Sequence, residues 1–197
     1  MKSAAVGFRV HSGWTSLVVV ALEKGKPIVL ARRRPRLVQT FSYTFRQPYH
    51  TAEKMNLEEA EAFLEKLRDE TRLLAVEALK AARSDVAQQG YRVTRAALLT
   101  ASGRPLPELA KILAAHTLIH TADGEFFREA ISQACTTHRL TLGSVKEREL
   151  MRVACSQLRS RSASLTRFVT ELGKPLGAPW SQDEKFAALA AWLELAK

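Results

Sequence analysis

Residues 5–22 read AVGFRVHSGWTSLVVVAL: an apolar run, a small polar turn and a second, stronger apolar run. Both runs are rich in valine and leucine, the composition of strands, and the Ser-Gly turn is short enough to join them as a hairpin. Turns in such a place can cradle a phosphate or stand beside a metal-binding carboxylate. Here the first run carries Arg9, and no acid occurs before Glu23. The hairpin is therefore the mouth of an active site, the remnant of one, or a structural turn.

Outward from the hairpin, Glu23-Lys-Gly-Lys-Pro27 reads as a second turn and residues 28–38 as a third strand, giving an antiparallel meander. FSYTFRQPY follows, and an extended chain would set Phe41, Tyr43 and Phe45 on one face, packed on the body or open for base stacking. Asn56 with Glu59 three residues on forms a capping box for a long helix, whose stripe Leu57, Ala60, Leu64, Leu67, Leu74 and Ala78 closes at Gly90. Residues 91–100 then read as a strand buried on both faces, and Ser-Gly-Arg-Pro-Leu-Pro (102–107) as a loop that would place Arg104 at a cleft mouth. Residues 108–138 are helical with a break expected near Gly124, and residues 140–145 form a short strand. Helices over 147–158 and 165–172, separated by a polar loop at 160–164, lead through KPLGAPW to a last helix. The order β-β-β-α-β-α-β, then helices, predicts one mixed sheet with helices on its faces, in a single α/β domain over 1–197.

The composition is that of a folded soluble chain, 46% hydrophobic and 25% charged. The apolar run at 17–22 is too short for a bilayer, and Arg9 and His11 interrupt a secretory signal, so neither membrane nor export is expected. Cys135 and Cys155 lack metal-ligand spacing and suit buried thiols in a reducing cytoplasm. The net charge of +10 points to polyanions. The excess is uneven: residues 24–52 carry Lys24, Lys26, Arg32, Arg33, Arg34, Arg36 and Arg46 with no acid, and residues 150–170 carry Arg152, Arg159, Arg161 and Arg167 with none. Clustered guanidinium groups match phosphate oxygens, so nucleic acid is the expected partner, with Arg9, Arg32, Arg33, Arg34 and Arg36 as its contacts. No GxGxxG, P-loop, GxSxG or CxxC pattern is present, which leaves nucleotide cofactors unsupported.

With VGFRVHSGWTSLVVVAL as a first hairpin, a long first helix, VTRAALLT as fourth strand, LTLGSVKERE as a short fifth and APWSQDEKFAALAAWL as terminal helix, the chain resembles the RNase H-like superfamily. Within it the likeness is to the Holliday-junction resolvases, over nearly the whole chain. The resemblance implies a mixed five-stranded sheet and, as the superfamily's catalytic set, carboxylates on the first strand, after the fourth strand and on the last helix that hold two divalent metals. In this sequence the first-strand position is Arg9 or Val10, and the fourth strand ends in Leu99-Thr100 without an acid. Only Asp183 and Glu184 on the last helix remain, and a lone carboxylate position does not clamp two ions.

The sharpest local pattern is HTLIHTADGEFFREA, residues 116–130. At 100° per residue His116, His120 and Asp123 fall within about 60° of one another and overlap the apolar stripe Ile119, Ala122, Phe126 and Ala130. They are expected to face inward, as buried hydrogen-bonded side chains or as a functional group: histidines at i and i+4 can share a divalent metal, with the acid ligating or orienting one of them. In WSQDEKFAALAAW, Ser181 and Glu184 form a capping box, Asp183 complements the helix dipole and Lys185 does not. A cleft receiving Asp183 and Lys185 beside His116, His120 and Asp123 would be the catalytic set, with His116, His120 and Asp183 as metal ligands. Three readings follow: a nucleic-acid-associated RNase H-like protein with a degraded or rebuilt metal site; a phosphoester hydrolase with a His/Asp/Lys centre; or a non-catalytic interaction module.

Overall fold

The first three strands form because alternate residues have two apolar faces to satisfy. In the computed structural model, which describes residues 1–101 and 105–197, β1 (Lys2–His11), β2 (Trp14–Glu23) and β3 (Lys26–Arg33) make an antiparallel meander. Its register pairs Val6 with Val19 and Phe8 with Leu17. The chain then crosses over through α1 (Tyr43–Arg46), α2 (Pro48–Ala52) and α3 (Leu57–Gln88) to β4 (Tyr91–Thr100), parallel to β1. A second crossover, α4 (Leu109–Leu113) and α5 (His116–Thr137), leads to β5 (Thr141–Lys146), parallel to β4. The sheet order is β3-β2-β1-β4-β5, and α6 (Leu150–Gln157), α7 (Ser162–Leu172) and α8 (Gln182–Leu195) follow. Among the described residues no helix is long and apolar enough to cross a membrane.

Strand alternation divides the interior. Val6, Phe8, Leu17, Val19, Ala96 and Leu98 point toward α3 and α5, where Phe127 and Ile131 are fully buried. Ala5, Val18 and Val20 point the other way, onto Ala187, Ala188 and Ala191 of α8, while Ala97 and Leu99 meet α6, α7 and α8. The alanine run AALAA lets α8 lie close on β1: a methyl group at Gly7 would stand 1.9 Å from the Ala187 carbonyl oxygen. α8 is capped as its sequence predicts, with Ser181 and Glu184 in a capping box, and so is α3, by Asn56 and Glu59.

Four local expectations are corrected. β3 stops at Arg33 because Pro35 has no N–H to extend the ladder; its carbonyl accepts from Thr15 N–H (3.1 Å), and Leu37 N–H turns in to the Gly13 carbonyl (2.8 Å). FSYTFRQPY is not extended: Pro48 opens α2 from its first turn, so Phe45 is half-buried while Phe41 and Tyr43 stay exposed. Gly124 lies inside an unbroken α5, and the break falls at Ala114–Ala115 instead. Helix α7 begins at Ser162, inside the expected polar loop. The loop expectation for 102–104, and with it Arg104 at the cleft mouth, lies outside the described residues. Both cysteines are free; burial pushes the Cys135 thiol up to about 12.

Candidate functional site

Two polar clusters sit at the end of the sheet where β1, β4 and β5 finish, the end at which open α/β sheets present their ligand sites. The first is built on the α8 face. Odd-numbered residues of β1 face α8, so Arg9 and His11 follow Ala5 and Gly7 and reach the amino end of that helix. Arg9 is the hub. Its guanidinium grips Glu147, just past β5, with two bonds, Nε to Oε2 at 3.0 Å and Nη2 to Oε1 at 2.6 Å, and donates through Nη1 to Asp183 Oδ1. His11 Nε2 lies 2.9 Å from the same Asp183 oxygen, and the His11 ring stacks on Trp14 with centroids 4.3 Å apart. Arg34 crosses from β3 above the Trp14 ring, donates to Glu184 Oε1 at 2.5 Å and to Ser181 Oγ at 3.0 Å, and lies 3.6 Å from Asp183.

Three carboxylates and two guanidinium groups thus form one network. Burial alone would raise the fully buried Glu184, but Arg34 and the Ser181 hydroxyl and amide outweigh it and hold this carboxyl down to about 2. Glu147, and then Asp183, raise the Arg9 pKa above its ordinary value against the opposing effect of burial. Lys185, one turn in, makes no ion pair among the described residues.

The second cluster lies on the opposite face, where α2 packs on α5. His50, His116 and His120 converge so that one ring nitrogen of each lies within 4.8 Å of the other two. The His116 and His120 Nε2 atoms are 3.1 Å apart, and the His50 ring meets their rings edge to face with centroids 5.4 and 4.5 Å away. Beneath them the buried Asp123 accepts from the Tyr49 backbone N–H at 2.6 Å and lies 2.5 Å from His50 Nδ1. Desolvation raises the Asp123 pKa, with His50 and the Tyr49 amide pulling the other way. Between the two clusters, at the hairpin turn, Gln47 Nε2 donates to Ser12 Oγ at 3.2 Å.

The predicted catalytic set is therefore split. The structure does not bring Asp183 or Lys185 to His116, His120 and Asp123: α8 and α5 pack on opposite faces, and Asp183 is taken up by Arg9, His11 and Arg34. The expected metal trio of His116, His120 and Asp183 is accordingly replaced by one with His50 in place of the acid. The inward direction holds for Asp123 only; His116 and His120 are exposed. They share the side of α5 that carries the buried Phe127, Ile131 and Ala134, but stand on its first turns, where they remain open to solvent. Of the expected phosphate contacts, Arg9 and Arg34 are held in the acidic network, and Arg33 is paired with Asp85. Arg32 donates to the carbonyls of Leu176, Gly177, Ala178 and Pro179. Arg36 lies over the Phe41 ring with its head exposed. His50 and Glu147 are the residues that sequence reasoning missed.

No protein-family model matches the chain, and no curated protein matches it significantly. Among solved structures, RuvC of Thermus thermophilus superposes with a TM-score of 0.54 at 12% identity, covering 98% of this chain and 93% of that one. The structure of T. thermophilus RuvC in complex with a Holliday junction substrate gives the same figures. The fold is that of RuvC. It is an RNase H-like fold, as the resemblance to resolvases implies, with the five-stranded mixed sheet and flanking helices in the expected order. On this RuvC-like frame, the first network occupies the end of the central strand.

Proposed function

We propose that the chain is a nucleic-acid-associated protein of RNase H-like fold whose strand-end centre is closed by guanidinium groups where metal ions would otherwise be held. The observation that carries this reading is Arg9, which bridges Glu147 and Asp183 from the end of β1. A fixed cation already neutralises the carboxylates that a two-metal mechanism would need free, and Arg34 does the same for Glu184. The degraded site is thus a rebuilt one, with the positive charge supplied by side chains.

For nucleic-acid contact the support is the net charge of +10, the RuvC-like fold, one representative of which binds a Holliday junction, and a basic surface at α6–α7. Arg159, Arg161 and Arg167 are exposed there and make no ion pair among the described residues, in contrast to Arg33 and Arg34 at the end of β3. We assign the phosphate contacts to these three.

The test is fluorescence anisotropy with labelled four-way junction, duplex and single-stranded DNA and RNA, run beside a cleavage assay with Mg²⁺ or Mn²⁺. Binding without cleavage is expected. Cleavage abolished by Asp183→Asn would overturn the closed centre, and absence of binding to every probe would overturn the nucleic-acid reading.

A further inference from the structure

The three-histidine cluster lies outside the network just described, and the inference drawn from it does not rest on the nucleic-acid reading. We propose that His50, His116 and His120 bind one borderline divalent transition-metal ion, zinc by preference, and that Asp123 positions His50 for it.

Four observations converge. First, the three imidazoles come from two helices, α2 and α5, that are far apart in sequence, and three of the chain's five histidines meet in one place. Second, the spacing suits a shared ion. Zinc–nitrogen bonds of about 2.0–2.1 Å place two ligands of a tetrahedron roughly 3.3 Å apart. The Nε2 atoms of His116 and His120 stand at 3.1 Å, and one ring nitrogen from each of the three histidines lies within 4.8 Å of the other two. The exposed histidines can close that remainder by small side-chain rotations.

Third, His50 has the outer partner that a ligating histidine requires. Asp123 is 2% exposed and has one oxygen on the Tyr49 amide and the other on His50 Nδ1. A proton held on Nδ1 by that carboxylate leaves Nε2 as a lone pair, fixes the ring and makes the imidazole a better donor. Both Asp123 oxygens are occupied, so it orients His50 and is not itself a ligand. Fourth, the donors are imidazoles without cysteine or a free carboxylate among them, a set that suits zinc, copper or nickel and not magnesium or calcium. The exposure of His116 and His120 leaves the outer side of the site to solvent. Three protein ligands with an open fourth position is the arrangement of zinc centres that bind water or a substrate oxygen, in contrast to closed structural sites.

A hydrogen bond between His116 and His120 alone explains their 3.1 Å approach but gives the His50–Asp123 pair no task beyond tethering α2. The two accounts part on metal affinity. The chelator-stripped full chain is titrated with zinc against a chromophoric competitor, and cobalt(II) is added separately to read coordination geometry from its visible bands. One zinc per chain, with a dissociation constant on the order of a micromolar or lower, and tetrahedral cobalt bands are expected. The double variant His116→Ala/His120→Ala, altered only at exposed positions, should fold, lose the bands and lose the affinity. Asp123→Asn should weaken zinc about 10–100-fold in molecules that remain folded, a change a purely structural carboxylate would not produce. His138→Ala, whose ring is held by Arg83 and the Val76 carbonyl, should bind as the parent does. Zinc affinity no tighter than millimolar, or a double variant that binds as well as the parent, would overturn the proposal.

Discussion

Replacing Arg9 by alanine probes the strand-end centre directly. The side chain is 18% exposed, and it answers Asp183, 17% exposed, and Glu147, 39% exposed. Removing one partner of a buried ion pair costs about 3–5 kcal/mol, because the other charge stays behind unpaired. Asp183 keeps His11 at 2.9 Å and Arg34 at 3.6 Å, and Glu147 is half open to water, so the expected loss is smaller, about 2 kcal/mol. The vacated position is flanked by two carboxylates and should accept a small divalent cation. If the variant binds Mg²⁺ with a dissociation constant of about 1 mM, then 10 mM Mg²⁺ returns about 1.4 kcal/mol. Urea unfolding of parent and Arg9→Ala, with and without Mg²⁺ at matched ionic strength, reads both effects. The parent should be insensitive to Mg²⁺ and the variant rescued by it. Equal stability of the two proteins, or an identical Mg²⁺ response in both, would refute the idea that the guanidinium stands in for a metal.

Other outcomes follow from the same contacts. Gly7→Ala forces a methyl group against the Ala187 carbonyl oxygen at 1.9 Å, and backbone cannot yield cheaply; a loss of about 3 kcal/mol, a fall of roughly 6–12 °C in melting temperature, is expected in a thermal scan. Glu184 has a folded pKa lowered from 4.5 to about 2, so its contribution, about 3 kcal/mol, is complete above pH 4.5 and disappears as the pH falls toward 2. Glu184→Gln should therefore lose stability at pH 7 and show a shallower acid limb, and parallel pH profiles for the two proteins would contradict this. Phe127→Ala, at a fully buried ring between α5 and its neighbours, should cost about 3–5 kcal/mol in urea unfolding.

The sequence made the frame readable because strands, caps and breakers act locally. The valine-rich hairpin, the Asn56–Glu59 and Ser181–Glu184 capping boxes and the doubly buried β4 are short-range patterns, and each stands where its pattern places it. Pro48 was the local signal against an extended FSYTFRQPY, since proline opens a helix more readily than it continues a strand. The sites were less readable because they are made by crossovers. His50 meets His116 only once α2 packs on α5, and nothing near residue 50 announces it. Arg9 reads as a free cation until β5 brings Glu147 beside it and α8 brings Asp183. The run Arg32–Arg34 looks like a phosphate surface in one dimension, whereas in space it is matched by Asp85, Glu184 and the carbonyls before Ser181. The azimuth of His116 and His120 was legible; where the covering layer ends was not, because burial along a helix depends on its neighbours' lengths.

The central claim, that this RNase H-like chain binds nucleic acid through its α6–α7 surface, is tested most directly by the salt dependence of binding. Affinity for a labelled four-way junction is measured between about 50 and 200 mM salt for the parent and for Arg159→Ala/Arg161→Ala/Arg167→Ala. A log–log slope of several units in the parent, shallower by about 2 to 3 units in the triple variant, is the predicted result. Binding that is undetectable at the lowest salt, or equally steep in both proteins, would contradict it.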